Sequence, residues 1–242
     1  KRLHVGEEIA TSIALPRLFS IATPIIAAII LTAFGFPALF FTLISLALFS
    51  VIPLFATGDY KTRFSFLRQL SFLLKSRSHS GQQLILGILS IMEAFIWPIF
   101  IFLTLGSLLD VGFAVAISGV GIAFFTYMAG KLSDRVDKRT MMKIGGLAYS
   151  LVWFLRIFAS TPLEIFLLSL LGGMFASVLE ISIFSIFCNI AKGKNILDWT
   201  VTREFWLGAG RVVAPIILLL LGSWLQGGFA FAGLASLLLL VL

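Results

Sequence analysis

Cysteine is nearly absent from this chain of 242 residues: Cys188 stands alone, so no disulfide can form within it. Its flanks are apolar, which makes it small packing filler. Charge is scarce too, at 12% of residues against about one quarter in a soluble domain. The two histidines, His4 and His79, both fall in polar segments with no metal-ligand spacing. No Ser/His/Asp set and no phosphate-binding loop is present. These gaps exclude a disulfide scaffold and argue against an enzyme, a resident metal or cofactor, and ATP as the driving force. The start, Lys1–Thr11, is polar and holds Glu7 and Glu8, unlike a cleaved signal peptide. There is no initiator Met, and Leu237–Leu242 lie inside an apolar run, so an internal fragment of a longer chain is expected.

What is abundant is apolar surface. Hydrophobic residues make up 60% of the chain, 25 of them Phe, and mean hydropathy is +1.09. A soluble fold of this size has nowhere to hide so much, and an integral membrane protein is the consequence. Crossing about 30 Å of hydrocarbon takes roughly 20 apolar residues. Eight runs qualify, near 13–34, 36–57, 84–106, 111–131, 141–160, 163–189, 203–225 and 229–242, the last of them short. None shows the period-2 alternation of a barrel strand, so the spans are read as helices and the fold class as all-α integral membrane.

Charge placement tests that count. The connections after the second, fourth and sixth spans carry Lys61, Arg63, Arg68, Lys75 and Arg77; Lys131, Arg135, Lys138, Arg139 and Lys143; and Lys192, Lys194 and Arg203. The other four connections hold no Lys or Arg. Such alternation follows the positive-inside rule and assigns the basic connections to the cytoplasm. The net charge of +7 is therefore a topology signal, and nucleic-acid binding is not expected.

An internal repeat underlies the pattern. At an offset of 191 residues Pro24-Ile25-Ile26 falls on Pro215-Ile216-Ile217, Phe40 on Phe231, and Leu43, Ser45 and Leu46 on Leu234, Ser236 and Leu237. A glycine turn follows each proline, Gly35 in one copy and Gly227-Gly228 in the other. Two similar bundles of about six helices are implied, an arrangement common in transporters. Between them, 58–83 reads as an amphipathic linker with Lys61, Arg68 and Lys75 on one helical face. It would lie in the headgroup plane and end in the flexible polar run Ser76–Gly81.

The stretch Gly130-Lys131-Leu132-Ser133-Asp134-Arg135-Val136-Asp137-Lys138-Arg139 resembles the signature loop of the major facilitator superfamily, Gly-x-Leu-x-Asp-Arg-x-Gly-Arg/Lys-Arg. Asp137 replaces the second glycine, and aspartate tolerates the left-handed backbone that a glycine there would supply. The resemblance implies a twelve-helix fold of which this chain holds the fifth to twelfth helices. Residues 1–57 would end the N-terminal half and 84–242 would form the C-terminal six-helix half. Thr23–Ala28 and Gly35–Phe40 look like the fifth-helix stretch associated with antiporters, with Thr23, Ala27 and Ala28 in glycine positions. Glu93–Phe100 and Arg203–Arg211 are similar to segments of bacterial members. The family implies secondary active transport of a small molecule by alternating access, driven by a proton or another cation, with efflux or antiport favoured. It also implies a monomer, in a plasma membrane such as the bacterial inner membrane. A non-transporting receptor or assembly subunit with the same fold is the alternative.

Ionisable groups inside a bilayer cost several kcal/mol unless paired or hydrated, so each is a candidate site. Glu93, Glu180 and Arg211 each lie about eight or nine residues from a cytoplasmic span end, roughly 12–14 Å deep, where they could meet. Glu93, with Ser90 and Trp97 on its face and Pro98 freeing backbone groups beside it, reads as a cavity carboxylate for a proton or a cationic substrate, or as the counter-ion of Arg211. Glu180 continues the small-residue stripe Gly172-Ala176 and is expected to pair with Arg211. Arg156, on one face with Tyr149 and Trp153, is read as snorkelling outward or pairing with Glu164.

In the loop, Gly130, Asp134, Arg135 and Arg139 form a conformational gate by resemblance. The Asp134 carboxylate would face the N-terminal end of a helix near Ser12–Arg17, an interaction worth about 0.3–1 kcal/mol. We predict that Asp134→Asn shifts the full-length protein toward an inward-open state. Cysteines introduced beside the loop should become more accessible from the cytoplasm, and unchanged labelling rates would count against the gate.

Overall fold

The computed structural model describes residues 21–55, 80–133, 136–192, 196–221 and 224–242, and every regular element among them is helical. Helix α1 spans Thr23–Phe55, α2 Ser80–Ile91, α3 Trp97–Leu105, α4 Leu108–Ser133, α5 Lys138–Arg156, α6 Pro162–Ala191, α7 Ile196–Leu221 and α8 Trp224–Leu237. A π-helical turn, Met92–Ile96, joins α2 to α3, and a 3₁₀ turn, Leu238–Leu240, closes α8. By length and composition, Thr23–Pro53, Ser80–Leu105, Leu108–Ala129 and Pro162–Ala191 are long and apolar enough to cross a membrane.

Within the described residues the expected apolar runs recur as helices with shifted ends. Gly35 breaks α1 into two arms (φ 78°, ψ 178°), a backbone that a Cβ would strain, and so separates the first two spans. Helix α2 begins at Ser80, so Ser80 and Gly81, expected in a flexible tail, are helical, with Ser80, Gln82 and Gln83 buried. The helix that holds the seventh apolar run begins at Ile196, ahead of 203: Asp198 is buried, and Thr202 donates its hydroxyl proton to the Asp198 carbonyl at 2.8 Å. A hydropathy window stops at charge, whereas the backbone hydrogen bonds of a helix run on through it. Gly227-Gly228, expected as a turn, lies inside α8. There a Cβ on Gly228 would meet Leu218 Cδ2 at 2.8 Å, so the glycine serves helix contact. The amphipathic linker, apart from its last residues, lies outside the described residues.

Asp137 also departs from expectation. Its backbone (φ −59°, ψ 126°) is not left-handed; instead its side chain caps α5, accepting from the Thr140 N–H at 3.0 Å and the Thr140 hydroxyl at 3.1 Å. An aspartate where the family has glycine thus gives up the turn geometry and takes the N-cap role.

Packing is tightest where small residues let backbones touch. Helices α4 and α6 meet along their lengths, α5 packs on α6 and α8, and α2 lies against α7. At the α2–α7 crossing a Cβ on Gly210 would sit 2.0 Å from the Leu84 carbonyl oxygen, and one on Gly87 2.2 Å from that of Leu207. The first arm of α1 lies antiparallel on α4, with Pro24 near Gly112 and Ile21 near Gly119. Its second arm exposes Phe36, Phe41, Leu48, Phe49 and Phe55. The core gathers around Met92, Trp97, Ile101, Trp153, Ile165, Phe229 and Leu239.

The packing and the Asp137 cap each lead to a prediction. Overfilling a tight contact costs about 1–3 kcal/mol or more, whereas Ala for Gly in an open helical position gains about 0.5–1 kcal/mol. Gly210→Val should lower the melting temperature of the detergent-solubilised protein, while Gly208→Ala, whose Cβ meets nothing within 4 Å, should leave it unchanged or raise it. The hydrogen bonds from Thr140 hold the Asp137 carboxyl below its ordinary pKa of 3.8. The cap therefore contributes fully above that pH and is lost as the pH falls through the depressed value. Amide-exchange protection at Thr140 should drop in acid in the native protein and persist in Asp137→Asn.

Candidate functional site

Glu93 sits in the π turn, and Pro98 explains the turn. Proline has no N–H to offer the carbonyl four residues back, and its ring crowds that carbonyl. The helix widens by one residue, with the Trp97 N–H donating to the Met92 carbonyl five residues earlier. Glu93 and Trp97 then both face inward.

The partner of Glu93 is Arg156, against the expectation that Arg156 snorkels or meets Glu164. Nη1 donates to Oε2 at 2.6 Å and Nη2 to Oε1 at 2.9 Å, a bidentate fork. The Tyr149 hydroxyl donates to the same Oε2 at 2.8 Å. The Arg156 side chain is wholly buried, and that of Glu93 keeps 19% exposure. The indole faces of Trp97 and Trp153 lie on the guanidinium, each centroid 4.2 Å from Cζ. Cation–π contacts of this kind, desolvated, are worth up to about 2 kcal/mol each.

Outer supports fix the stack. Trp97 Nε1 donates to Ser169 Oγ at 2.9 Å, and Ser169 in turn donates to the Ile165 carbonyl at 2.8 Å. Phe229 of α8 packs against both indoles, at 5.8 Å and 5.7 Å between centroids. Gly172 makes the room: a Cβ there would lie 2.2 Å from Arg156 Nη2. Glu164 is committed elsewhere, to a capping box in which it accepts from the Ser160 and Thr161 N–H groups at 2.8 and 2.9 Å.

Beside the pair opens a cavity of about 470 Å³, between the first arm of α1 and helices α2, α4, α5, α6 and α7. Glu93, Trp97, Glu180 and Arg211 all line it, with Ser90, Tyr149 and Arg203. The four residues singled out from sequence therefore share one cavity, although no ion pair joins Arg211 to Glu93 or Glu180. Arg211 stands about 22 Å along α7 from Ile196. Arg203 sits against the Phe184 and Phe187 rings and pairs with Glu204. In the signature loop, Gly130 belongs to α4 and Arg139 is exposed in the first turn of α5; Asp134 and Arg135 lie outside the described residues.

The family model described as Major Facilitator Superfamily matches residues 82–242. The chain belongs to the major facilitator superfamily. It is thus a multi-pass integral membrane protein and a membrane transporter, working in a lipid bilayer on small-molecule substrates. Members of the superfamily are in general transporters and not enzymes. A comparison with curated proteins found no match.

Removing one partner of a buried ion pair strands the other, at a cost of about 3–5 kcal/mol. Arg156→Ala should therefore lower thermal stability sharply, and Arg156→Ala with Glu93→Ala should recover part of the loss. Gly172→Ala, which pushes on the guanidinium while leaving both charges in place, should fall between. Equal melting temperatures for the single and double variants would remove the pair from this account.

Proposed function

We propose that the protein carries its substrate by alternating access in exchange for a cation, most economically a proton, with Glu93 as the coupling carboxylate. The supporting observation is the ligation of Glu93: two hydrogen bonds from Arg156 and one from Tyr149 on a carboxylate that borders the cavity. A proton arriving on Glu93 neutralises it and breaks the match to the fork. The guanidinium would then be left between its indoles without a counter-charge, and the helices that carry these groups, the π turn and α5, would have reason to separate. Sodium coupling would need several oxygen ligands at one point, and the charge-assisted bonds on Glu93 occupy the acceptor that would supply them.

Trp97 and Glu180 line the route in this reading, and Gly130, Asp134, Arg135 and Arg139 form the latch on the basic side, taken to be cytoplasmic in a bacterial inner membrane. Residues 1–57 and 84–242 would belong to opposite halves joined by 58–83, with the cavity at their boundary, and the working unit would be the monomer. The broken α1, with Pro24 at its start and Gly35 at its bend, favours antiport and export. The buried pair argues against a receptor or assembly subunit, which gains nothing from its desolvation cost.

Proteoliposomes of the full-length protein, screened with labelled solutes under an imposed pH gradient, provide the test. Transport of any accepted solute should follow the gradient in the native protein. In Glu93→Gln that dependence should vanish while solute exchange at equal pH survives. A Glu93→Gln variant with the native pH response would overturn the assignment.

A further inference from the structure

The charges around the cavity are not equally committed. Glu93 already accepts two hydrogen bonds from Arg156 and one from Tyr149, and Glu180 is engaged within the structure. Arg203 pairs with Glu204. Arg211 differs: it lines the cavity, is exposed, and makes no hydrogen bond or ion pair among the described residues. A Cβ on Gly208, one turn earlier in α7, would meet nothing within 4 Å, so the approach along that helix is uncrowded. The remaining walls are largely apolar, with Leu86, Leu89, Val115, Ile122 and Leu207 among them.

We infer that the cavity takes an amphiphilic organic anion, its carboxylate or equivalent group held by Arg211 and its apolar body by the aliphatic walls. A guanidinium presents a planar fork that matches a carboxylate in two hydrogen bonds, and low-dielectric walls strengthen the attraction. The volume of about 470 Å³ lies in the range of sites that enclose small organic ligands. The sequence alone allowed a cationic substrate on Glu93, but that carboxylate already holds a cation of the protein's own. This inference rests on the reading of the cavity as the transport site and adds the sign of the substrate's charge.

The test uses two probes of matched shape and opposite charge, 4-phenylbutyrate and 4-phenylbutylamine, added to the purified full-length protein in detergent while thermal unfolding is followed. The carboxylate should raise the melting temperature in a saturable way and the amine should not. Arg211→Gln should lose the shift while its unliganded melting temperature stays native, since the side chain has no hydrogen-bond or ion-pair partner among the described residues to abandon, and Arg211→Lys should retain part of the shift. Stabilisation by the amine, by both probes equally, or by neither overturns the inference. So does a carboxylate shift that survives in Arg211→Gln. Coupling through Glu93 is read separately from the pH-gradient response, so loss of either result leaves the other standing.

Discussion

A guanidinium and a carboxylate taken out of water together are the constraint around which this bundle is arranged. Each ion alone would cost several kcal/mol to bury, and their attraction offsets that only with near-ideal geometry and further hydrogen bonds. The protein supplies both: a bidentate fork from Arg156 to Glu93, a tyrosine hydroxyl on the same carboxylate, and two indole faces on the cation. The π turn that presents Glu93, the glycine that leaves space at position 172, the serine that fixes Trp97 and the Phe229 ring behind the indoles all serve that one contact. Five helical segments thereby converge on two side chains.

Such a contact suits a protein that must change shape. A bidentate fork on a carboxylate depends on direction as well as distance, so it is either made or broken. In the proposed coupling, protonation of that one carboxylate would separate two arrangements of the helices beside the cavity. The aromatic faces matter equally, because they keep the guanidinium in place by forces that do not depend on the proton.

The sequence disclosed a good deal of this, and its omissions have physical causes. Eight apolar runs and the alternation of basic connections anticipated the helices and the family, because hydropathy and loop charge are local properties. The signature stretch from Gly130 to Arg139 did so for the same reason. Glu93, Glu180 and Arg211 are recognisable as a group, since charge inside an apolar run is rare enough to stand out, and with Trp97 from the face of Glu93 they line one cavity. Arg156 was misread. It closes α5, where a terminal arginine ordinarily reaches for the interface, and only the packing of α5 against α6 and α8 turns it inward. The clue was present in Tyr149, Trp153 and Arg156 sharing one face, together with Gly172, a residue too small to be filling space. Helix ends were also displaced, as at Ile196 and Ser80, because charge interrupts hydropathy without interrupting backbone hydrogen bonding.

The wide turn at Met92–Ile96 has a consequence beyond placing Glu93. One extra residue advances the helix by about 100° of rotation, so the faces before and after it are out of phase. Before the turn, Gly87 lies against the backbone of α7; after it, Trp97 and Ile101 enter the core shared with α5, α6 and α8. A single membrane crossing thus answers to two neighbours on different bearings. The residue that carries the charge, Glu93, stands in the turn between those two bearings.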